Sequence, residues 1–208
     1  AYDELFVGTF HSLGVRILKQ EGYFIERKPT FSIFDADDSL RLLKSVIKKM
    51  DLASDMYRPA VLSRKISRIK NELTDVEDIG DKKLQRIFMN YEHALRENNA
   101  FDFDYLLEKV VRIFRAHPEV LTKYQKQFQY ILVDEYQDIN TSQYWLVKLL
   151  VEGHQNLFVV GDDAQSIYRF RGSDFRNFLN FERDWPNARV VFLEQNYRST
   201  KTIINAAS

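Results

Sequence analysis

The chain contains no cysteine, which excludes disulfides, thiolate catalysis and cysteine-based zinc sites. Only 7 glycines and 4 prolines occur among its 208 residues, so collagen-like, low-complexity and largely disordered architectures are excluded too. No apolar run approaches the roughly 18 residues that a membrane span requires, and the first residues lack a basic or apolar leader pattern. We therefore expect a globular, cytoplasmic chain without membrane contact.

The formal net charge is zero, because 30 basic residues balance 30 acidic ones. Any binding of nucleic acid must then depend on a local patch and not on a bulk electrostatic field. Residues 58–70 carry five basic and no acidic side chains, whereas residues 72–81 carry five acidic ones. A solvated helix face beside an acidic turn is the favoured interpretation of that pair. The four histidines are too scattered to indicate a metal cluster.

The middle of the chain has the pattern of helices. Four apolar stripes recur at helical spacing, with Asp35 as a candidate N-cap for the first, and we interpret them as core faces: Leu40 to Met50, Val61 to Ile69, Leu84 to Leu95 and Phe103 to Phe114.

From residue 130 the pattern changes to short apolar runs separated by amphipathic segments. Strands are predicted at 130–133, 157–160 and 189–193, and helices at 141–151 and 174–183, with Asn140 and Ser173 as N-caps and Gln143 completing a capping box. A further strand at 5–9 precedes a helix at 11–20. This order predicts an α/β fold with a parallel sheet and right-handed crossovers. We assign residues 1–24 and 100–208 to that core and residues 25–99 to an inserted helical subdomain.

The ends of the sequence indicate a piece of a longer protein. There is no initiator methionine, and the last ten residues read as a capped helix that is interrupted.

Polar residues that directly follow buried strands are the first candidates for a site, because ligands bind at the carboxyl ends of parallel strands. Asp134 and Glu135 follow the strand at 130–133. One carboxylate could hold hydrated Mg²⁺ on a nucleotide while its neighbour activates a water molecule. An acidic pair at a helix N-terminus explains the same residues equally well.

Three other segments have a pattern suited to binding. Tyr197 and Arg198 offer a ring and a planar guanidinium for a base and a phosphate. Residues 165–171 interleave aromatic and basic side chains, which suits single-stranded nucleic acid, although a loop packing its rings inward is equally compatible. Thr9 and His11 could contact phosphates or simply begin a helix.

Five segments in order resemble consecutive signatures of the UvrD/Rep/PcrA-type superfamily 1 DNA helicases: TFHSLG (9–14), FDFD (101–104), VDEYQD (133–138), VGDDAQSIYRFRG (160–172) and QNYRS (195–199). The resemblance covers nearly the whole chain. It implies part of the first RecA-like motor domain, of the P-loop NTPase type, with its helical insertion.

The resemblance also implies roles for individual residues. Asp134 would coordinate Mg²⁺, Glu135 would activate the hydrolytic water, Gln165 would sense the γ-phosphate of ATP, Arg198 would act as an arginine finger, and Tyr197 would stack on adenine. Thr9, His11, Tyr168, Phe170 and Arg171 would bind single-stranded DNA, and the parent protein would unwind junctions with a 3′-to-5′ polarity.

The sequence departs from the family pattern in three places. Phe170 stands where the family usually has tryptophan, and Tyr105 replaces a common aspartate. No Gly-x-x-x-x-Gly-Lys-Ser/Thr motif occurs, so the phosphate cradle is missing from these residues. We expect it upstream, a second motor domain downstream, and no useful ATPase activity from this chain alone.

Three functions stay open at this point. The preferred one is a part of an ATP-dependent DNA helicase. The alternatives are a helicase-derived module that binds single-stranded DNA or a protein without turnover, and a magnesium-dependent nuclease that uses Asp134, Glu135 and Asp138.

Overall fold

The computed structural model describes residues 5–52, 57–162, 180–200, 202, 203 and 206. The chain divides into two compact units, Ala1–Phe178 and Leu179–Ser208. None of the helices in the described ranges is long and apolar enough to cross a membrane.

The first unit contains seven α-helices among its described residues: α1 Phe10–Glu21, α2 Ala36–Lys49, α3 Pro59–Asn71, α4 Lys82–Glu97, α5 Phe103–Ala116, α6 Pro118–Gln127 and α7 Thr141–Val151. All four predicted apolar stripes lie on helices and are largely buried. The predicted caps at Asp35 and Asn140 are confirmed, since the Asp35 carboxylate accepts the Asp38 N–H at 2.8 Å, and Asn140 and Gln143 form the capping box of α7. Helix α6, which the sequence analysis did not predict, begins at a proline.

Two pairs of parallel strands lie among these helices. β1 (Ser32–Phe34) pairs with β2 (Ala100–Asp102), and β3 (Ile131–Val133) pairs with β4 (Leu157–Val159) in the register Val133 to Val159. The unit β3–α7–β4 is the predicted parallel crossover, so the α/β class with parallel strands is confirmed. The regular structure in the described part of 25–99 is helical, either α or 3₁₀, apart from β1.

Two predicted strands are not strands in the structure. Residues 5–9 and 189–193 have no ladder partner among the described residues, and an apolar run without hydrogen-bonded neighbours is not a strand. Thr9 instead caps α1, because its hydroxyl accepts the Ser12 N–H at 3.2 Å. Most of the helix predicted at 174–183, with its cap Ser173, lies outside the described residues; Phe181–Asp184 is helical.

Helix α5 lies at the centre of the first unit's core. Its side chains are buried on nearly every face, from Tyr105 at 0% exposure to Phe114 at 1%. Helix α1 packs against it at Gly14, where a Cβ atom would lie only 2.7 Å from the carbonyl oxygen of Leu106. The absence of a side chain at Gly14 therefore sets how closely α1 approaches α5.

A buried ion pair joins α3 to the start of α5. The Lys70 ammonium, which is fully buried, pairs with the Asp102 carboxylate, and the Tyr91 hydroxyl donates to the same carboxylate at 2.9 Å. Asp102 also caps α5 by accepting the Tyr105 N–H at 3.0 Å. The Lys70 ammonium lies 3.5 Å from the centroid of the Tyr105 ring, so a cation–π contact adds to the pair. These partners satisfy two charges that would be costly to bury alone.

The second unit is short. It contains the helix α8, Phe181–Asp184, and a turn in which the Ala188 N–H donates to the Trp185 carbonyl oxygen at 2.9 Å.

Candidate functional site

The carboxyl ends of β3 and β4 lie side by side and place two acidic residues at the edge of the sheet. The Val160 N–H donates to the Val133 carbonyl oxygen at 2.9 Å, and the Tyr136 N–H donates to the Val160 carbonyl oxygen at 2.9 Å. Pairing thus continues past β4 and brings the loop after β4 next to the loop after β3. Asp134 and Glu135 follow β3 there and are exposed.

The backbone of Glu135 has an uncommon conformation. Its φ of 51° and ψ of 42° lie in the left-handed region, which costs a residue other than glycine about 1–3 kcal/mol. The Glu135 N–H donates to an Asp134 carboxylate oxygen at 2.9 Å, and the Asp138 N–H donates to the Glu135 carbonyl oxygen at 2.9 Å. These two hydrogen bonds stabilise the turn. They hold Glu135, whose side chain is exposed, in its left-handed backbone conformation.

A buried amide lies behind that carboxylate. Gln137, only 1% exposed, donates from Nε2 to Glu135 Oε2 at 2.7 Å and accepts the Asp162 N–H at its Oε1, 3.1 Å away. No role for Gln137 was predicted from the sequence. The only signal was its place between acidic residues in the segment VDEYQD.

Asp138 lies on the inner side of the same turn. Burial, together with the charge of Glu135, raises the pKa of Asp138 above its ordinary value. Its Oδ1 is buried and has no hydrogen-bond partner among the described residues. No group of three or more acidic or histidine side chains that could hold a metal ion occurs in the described ranges. The convergence of carboxylates that a nuclease would need is therefore not found in that part of the chain.

Thr9 and His11 lie at the start of α1. Thr9 is exposed, and the His11 ring packs edge to face on Phe103, with 5.8 Å between centroids. Burial lowers the pKa of His11, and the Asp104 carboxylate opposes part of that change. A neutral imidazole at neutral pH can donate a hydrogen bond to phosphate but adds no positive charge.

A chain of polar side chains runs from Asp104 to the residue that caps α7. Asn71 donates to Asp104 Oδ1 at 2.9 Å, and Asn140 donates to Asn71 Oδ1 at 2.7 Å. The segment FDFD is thereby hydrogen-bonded, through α3, to the end of the loop that carries Glu135. Neither Asn71 nor this connection was predicted, because the three residues lie far apart in the sequence.

Tyr197 and Arg198 lie in the second unit, in a turn stabilised by Asn196. The Asn196 side-chain oxygen accepts the N–H groups of Arg198 and Ser199, both at 2.9 Å. Gln165, Tyr168, Phe170 and Arg171, which were predicted to contact the γ-phosphate or DNA, lie outside the described residues.

The two best-formed cavities among the described residues of the first unit are not lined by Asp134 or Glu135. One of about 250 Å³ lies between α3 and α4, lined by Tyr57, Leu62 and Leu84 among others. The other, of about 280 Å³, lies at the amino ends of β3 and β4 beside Tyr130 and Asn156. We locate the candidate site at Asp134 and Glu135 on their chemistry and on the strained backbone of Glu135, since Mg²⁺ prefers oxygen ligands such as carboxylates.

The model of the UvrD/REP helicase N-terminal domain matches residues 1–186. The chain belongs to this family. It is 46% identical to the ATP-dependent DNA helicase PcrA of Bacillus subtilis (strain 168) over 213 aligned residues, covering 99% of this chain and 29% of the relative. The proteins of the same name from Staphylococcus aureus (strain Mu50) and Staphylococcus epidermidis are each 44% identical over 211 residues, 98% of this chain and 29% of the relative. This UvrD/REP chain thus spans less than a third of the curated relatives it matches, and the segment QNYRS lies beyond the part that the family model covers.

Proposed function

We propose that this chain is part of the first motor domain of an ATP-dependent DNA helicase that couples hydrolysis of Mg-ATP to movement along single-stranded DNA. The observation that carries the proposal is the exposed Asp134–Glu135 pair at the carboxyl end of β3, held in a strained turn, in a member of the UvrD/REP family. The relatives are named ATP-dependent DNA helicases, which supports ATP and DNA as the substrate classes.

Asp134 is suited to act as a magnesium ligand. It is one exposed carboxylate beside an open edge of the sheet, and Mg²⁺ on a nucleotide uses few protein carboxylates because phosphate and water oxygens complete its shell. When bound, the ion would neutralise charge that develops on the phosphates.

Glu135 would accept the proton of the attacking water. Its carboxylate projects from a turn that is fixed by the bond from the Glu135 N–H to the Asp134 carboxylate and by the bond from the Asp138 N–H to the Glu135 carbonyl oxygen, so little reorganisation is needed. Gln165, Arg198 and Tyr197 would complete the ATP site as γ-phosphate sensor, arginine finger and adenine stack. Thr9, His11, Tyr168, Phe170 and Arg171 would bind DNA.

The remaining parts of the proposal are supported by family resemblance. They are a helical subdomain at 25–99 within a core of 1–24 and 100–208, a cytoplasmic location, action on junctions of single- and double-stranded DNA with 3′-to-5′ polarity, and further helicase domains on either side.

The first prediction concerns Glu135 in the full-length protein. Glu135→Gln should leave ATP binding nearly unchanged and abolish hydrolysis, because the amide keeps the shape of the side chain but cannot act as a base. Nucleotide titration and a phosphate-release assay with single-stranded DNA measure the two effects separately. An unchanged hydrolysis rate in Glu135→Gln would show that Glu135 is not the base, whereas no DNA-stimulated hydrolysis in the wild type would favour the binding module without turnover.

The second prediction concerns Arg198 in the same protein. Arg198→Ala should lower turnover by about 10³-fold or more if the guanidinium acts as a finger on the transferring phosphate. Tyr197→Ala is the matched neighbour, and it should weaken ATP binding with a smaller effect on turnover. Turnover of Arg198→Ala close to that of the wild type would assign Arg198 to the surface.

A further inference from the structure

The two hydrogen bonds of Gln137 fix the orientation of its amide. A backbone N–H can only donate, so the atom that faces the Asp162 N–H must be the side-chain oxygen. The NH₂ group consequently faces Glu135 and donates to its carboxylate at 2.7 Å. Because the side chain is 1% exposed, water does not compete for either bond.

The buried Gln137 amide thus restricts the Glu135 side chain, while Glu135 itself remains exposed to solvent. A glutamate side chain has three rotatable bonds, and an exposed one samples several rotamers. The bond from Gln137 selects the rotamer in which Oε2 points back to the buried amide. The position of the other carboxylate oxygen is then restricted as well.

The same amide connects that carboxylate to the loop after β4. Asp162 is the first residue after Gly161, and the segment that follows contains Gln165, the proposed γ-phosphate sensor. A shift of the Asp162 backbone would move the Gln137 oxygen, and with it the NH₂ group that holds Glu135. One side chain thus joins the ends of two neighbouring strands.

We propose that Gln137 is a positioning residue that orients the Glu135 carboxylate and fixes its place relative to the Asp162 backbone after β4. The proposal rests on the proposed role of Glu135. It predicts that loss of the amide impairs hydrolysis without impairing nucleotide binding.

The test compares variants of the full-length protein. Gln137→Met keeps the length of the side chain but makes neither bond, and it should lower kcat about 10- to 100-fold with KM changed by less than about threefold. Gln137→Glu retains an acceptor for Asp162, but the new carboxyl group and Glu135 would share one proton, as adjacent carboxylates do, so kcat should fall while the backbone bond persists. Hydrogen exchange measured by mass spectrometry on a peptide ending at Asp162 should accordingly increase in Gln137→Met and stay near wild type in Gln137→Glu.

Gln143→Met is the matched control. Gln143 is also a glutamine whose side-chain oxygen accepts a backbone N–H, that of Asn140 at 2.8 Å, but it lies in the first turn of α7 and stabilises the start of that helix. Its loss should lower thermal stability and leave kcat of the folded enzyme unchanged. A kcat loss in Gln137→Met that only follows the folded fraction would overturn the proposal.

The variant Glu135→Gln separates the two proposals. If Glu135→Gln is inactive and Gln137→Met has normal kcat, the positioning role is wrong and the role of Glu135 stands. If Glu135→Gln hydrolyses ATP normally, the proposed role of Glu135 is wrong, and the positioning role of Gln137, which rests on it, is wrong as well. In the double variant, Gln137→Met should cause no additional loss, because there is no longer a base to orient.

Discussion

Asp104 is a carboxylate at a place where the protein interior disfavours charge. Burial and the neighbouring Asp102 carboxylate raise the pKa of Asp104 above its ordinary value of 3.8, while Lys70 and the hydrogen bond from Asn71 act in the opposite direction. The folded chain therefore binds this proton more tightly than the unfolded chain. The stability it contributes is fully present below about pH 4 and is lost as the pH rises through the folded-state pKa.

The third prediction follows from the upward shift of the Asp104 pKa. Asp104→Asn cannot ionise and keeps an oxygen that can accept from Asn71, so the melting temperature of the variant relative to wild type should increase from pH 4 to pH 7. Thermal unfolding across that range measures it. Asp37→Asn removes an equal charge from an exposed position in the first turn of α2 and should produce no such gain. A difference between Asp104→Asn and wild type that is constant with pH would contradict the argument.

Packing between elements depends on a glycine in α1. Gly14 faces the carbonyl oxygen of Leu106 on α5, and that backbone atom cannot move aside as a flexible side chain could. The contact places the start of α1, with Thr9 and His11, beside Phe103 at the start of α5. The helix-breaking tendency of glycine is thus outweighed by a close helix approach.

The fourth prediction compares two glycines. Gly14→Ala should lower the free energy of unfolding by roughly 1–2 kcal/mol, since overpacking against backbone exceeds the gain of about 1 kcal/mol in helix propensity. Gly80→Ala, where no atom lies within 4 Å of the added Cβ, should be neutral or slightly stabilising. Urea denaturation of both variants checks the pair. Equal stability of the two would show that α1 can shift without cost.

The elements that were predictable from sequence are those with long repeating patterns. Helices α2 to α5 each extend over 13 or more residues, so their apolar spacing repeats several times. β1 and β2 have three residues each, too few to establish a period, and their pairing joins segments that lie 68 positions apart in register. α6 has few buried residues, only Val120 and Tyr124, and its stripe was correspondingly weak.

The candidate site was predictable only in part, for a similar reason. Asp134 and Glu135 were found because they directly follow an apolar run, which is a local signal. The hydrogen bond from Asp162 to Gln137 spans 25 positions and that from Asn140 to Asn71 spans 69, so neither leaves a local pattern. The left-handed backbone of Glu135 is likewise set by the fold and not by the residue type.

At the scale of the first unit, one continuous core joins the helices of 25–99 to β2 and to the helices on either side of that range. Buried residues from α1, α2, α3, α4, α5 and α7 belong to the same cluster, which includes Ile17, Leu43, Ile66, Leu95 and Leu150. The proposed subdomain at 25–99 thus shares its core with the proposed motor core. The buried pair of Lys70 and Asp102 and the chain from Asp104 to Asn140 cross the same boundary.

The fifth prediction concerns these 208 residues as an isolated chain. They include the proposed magnesium ligand and base but no glycine-rich phosphate loop with its lysine, and backbone N–H groups of such a loop are what hold the β- and γ-phosphates. A base without a positioned phosphate gives no in-line attack, so the chain should not release phosphate from ATP at a useful rate, with or without single-stranded DNA. A steady-state phosphate-release assay measures this, and Glu135→Gln in the same chain reports any contaminating activity. Turnover on the order of 1 s⁻¹ or faster that disappears in Glu135→Gln would show that these residues build a complete site, and the phosphate cradle would then have to be sought among the backbone N–H groups after β3 and β4.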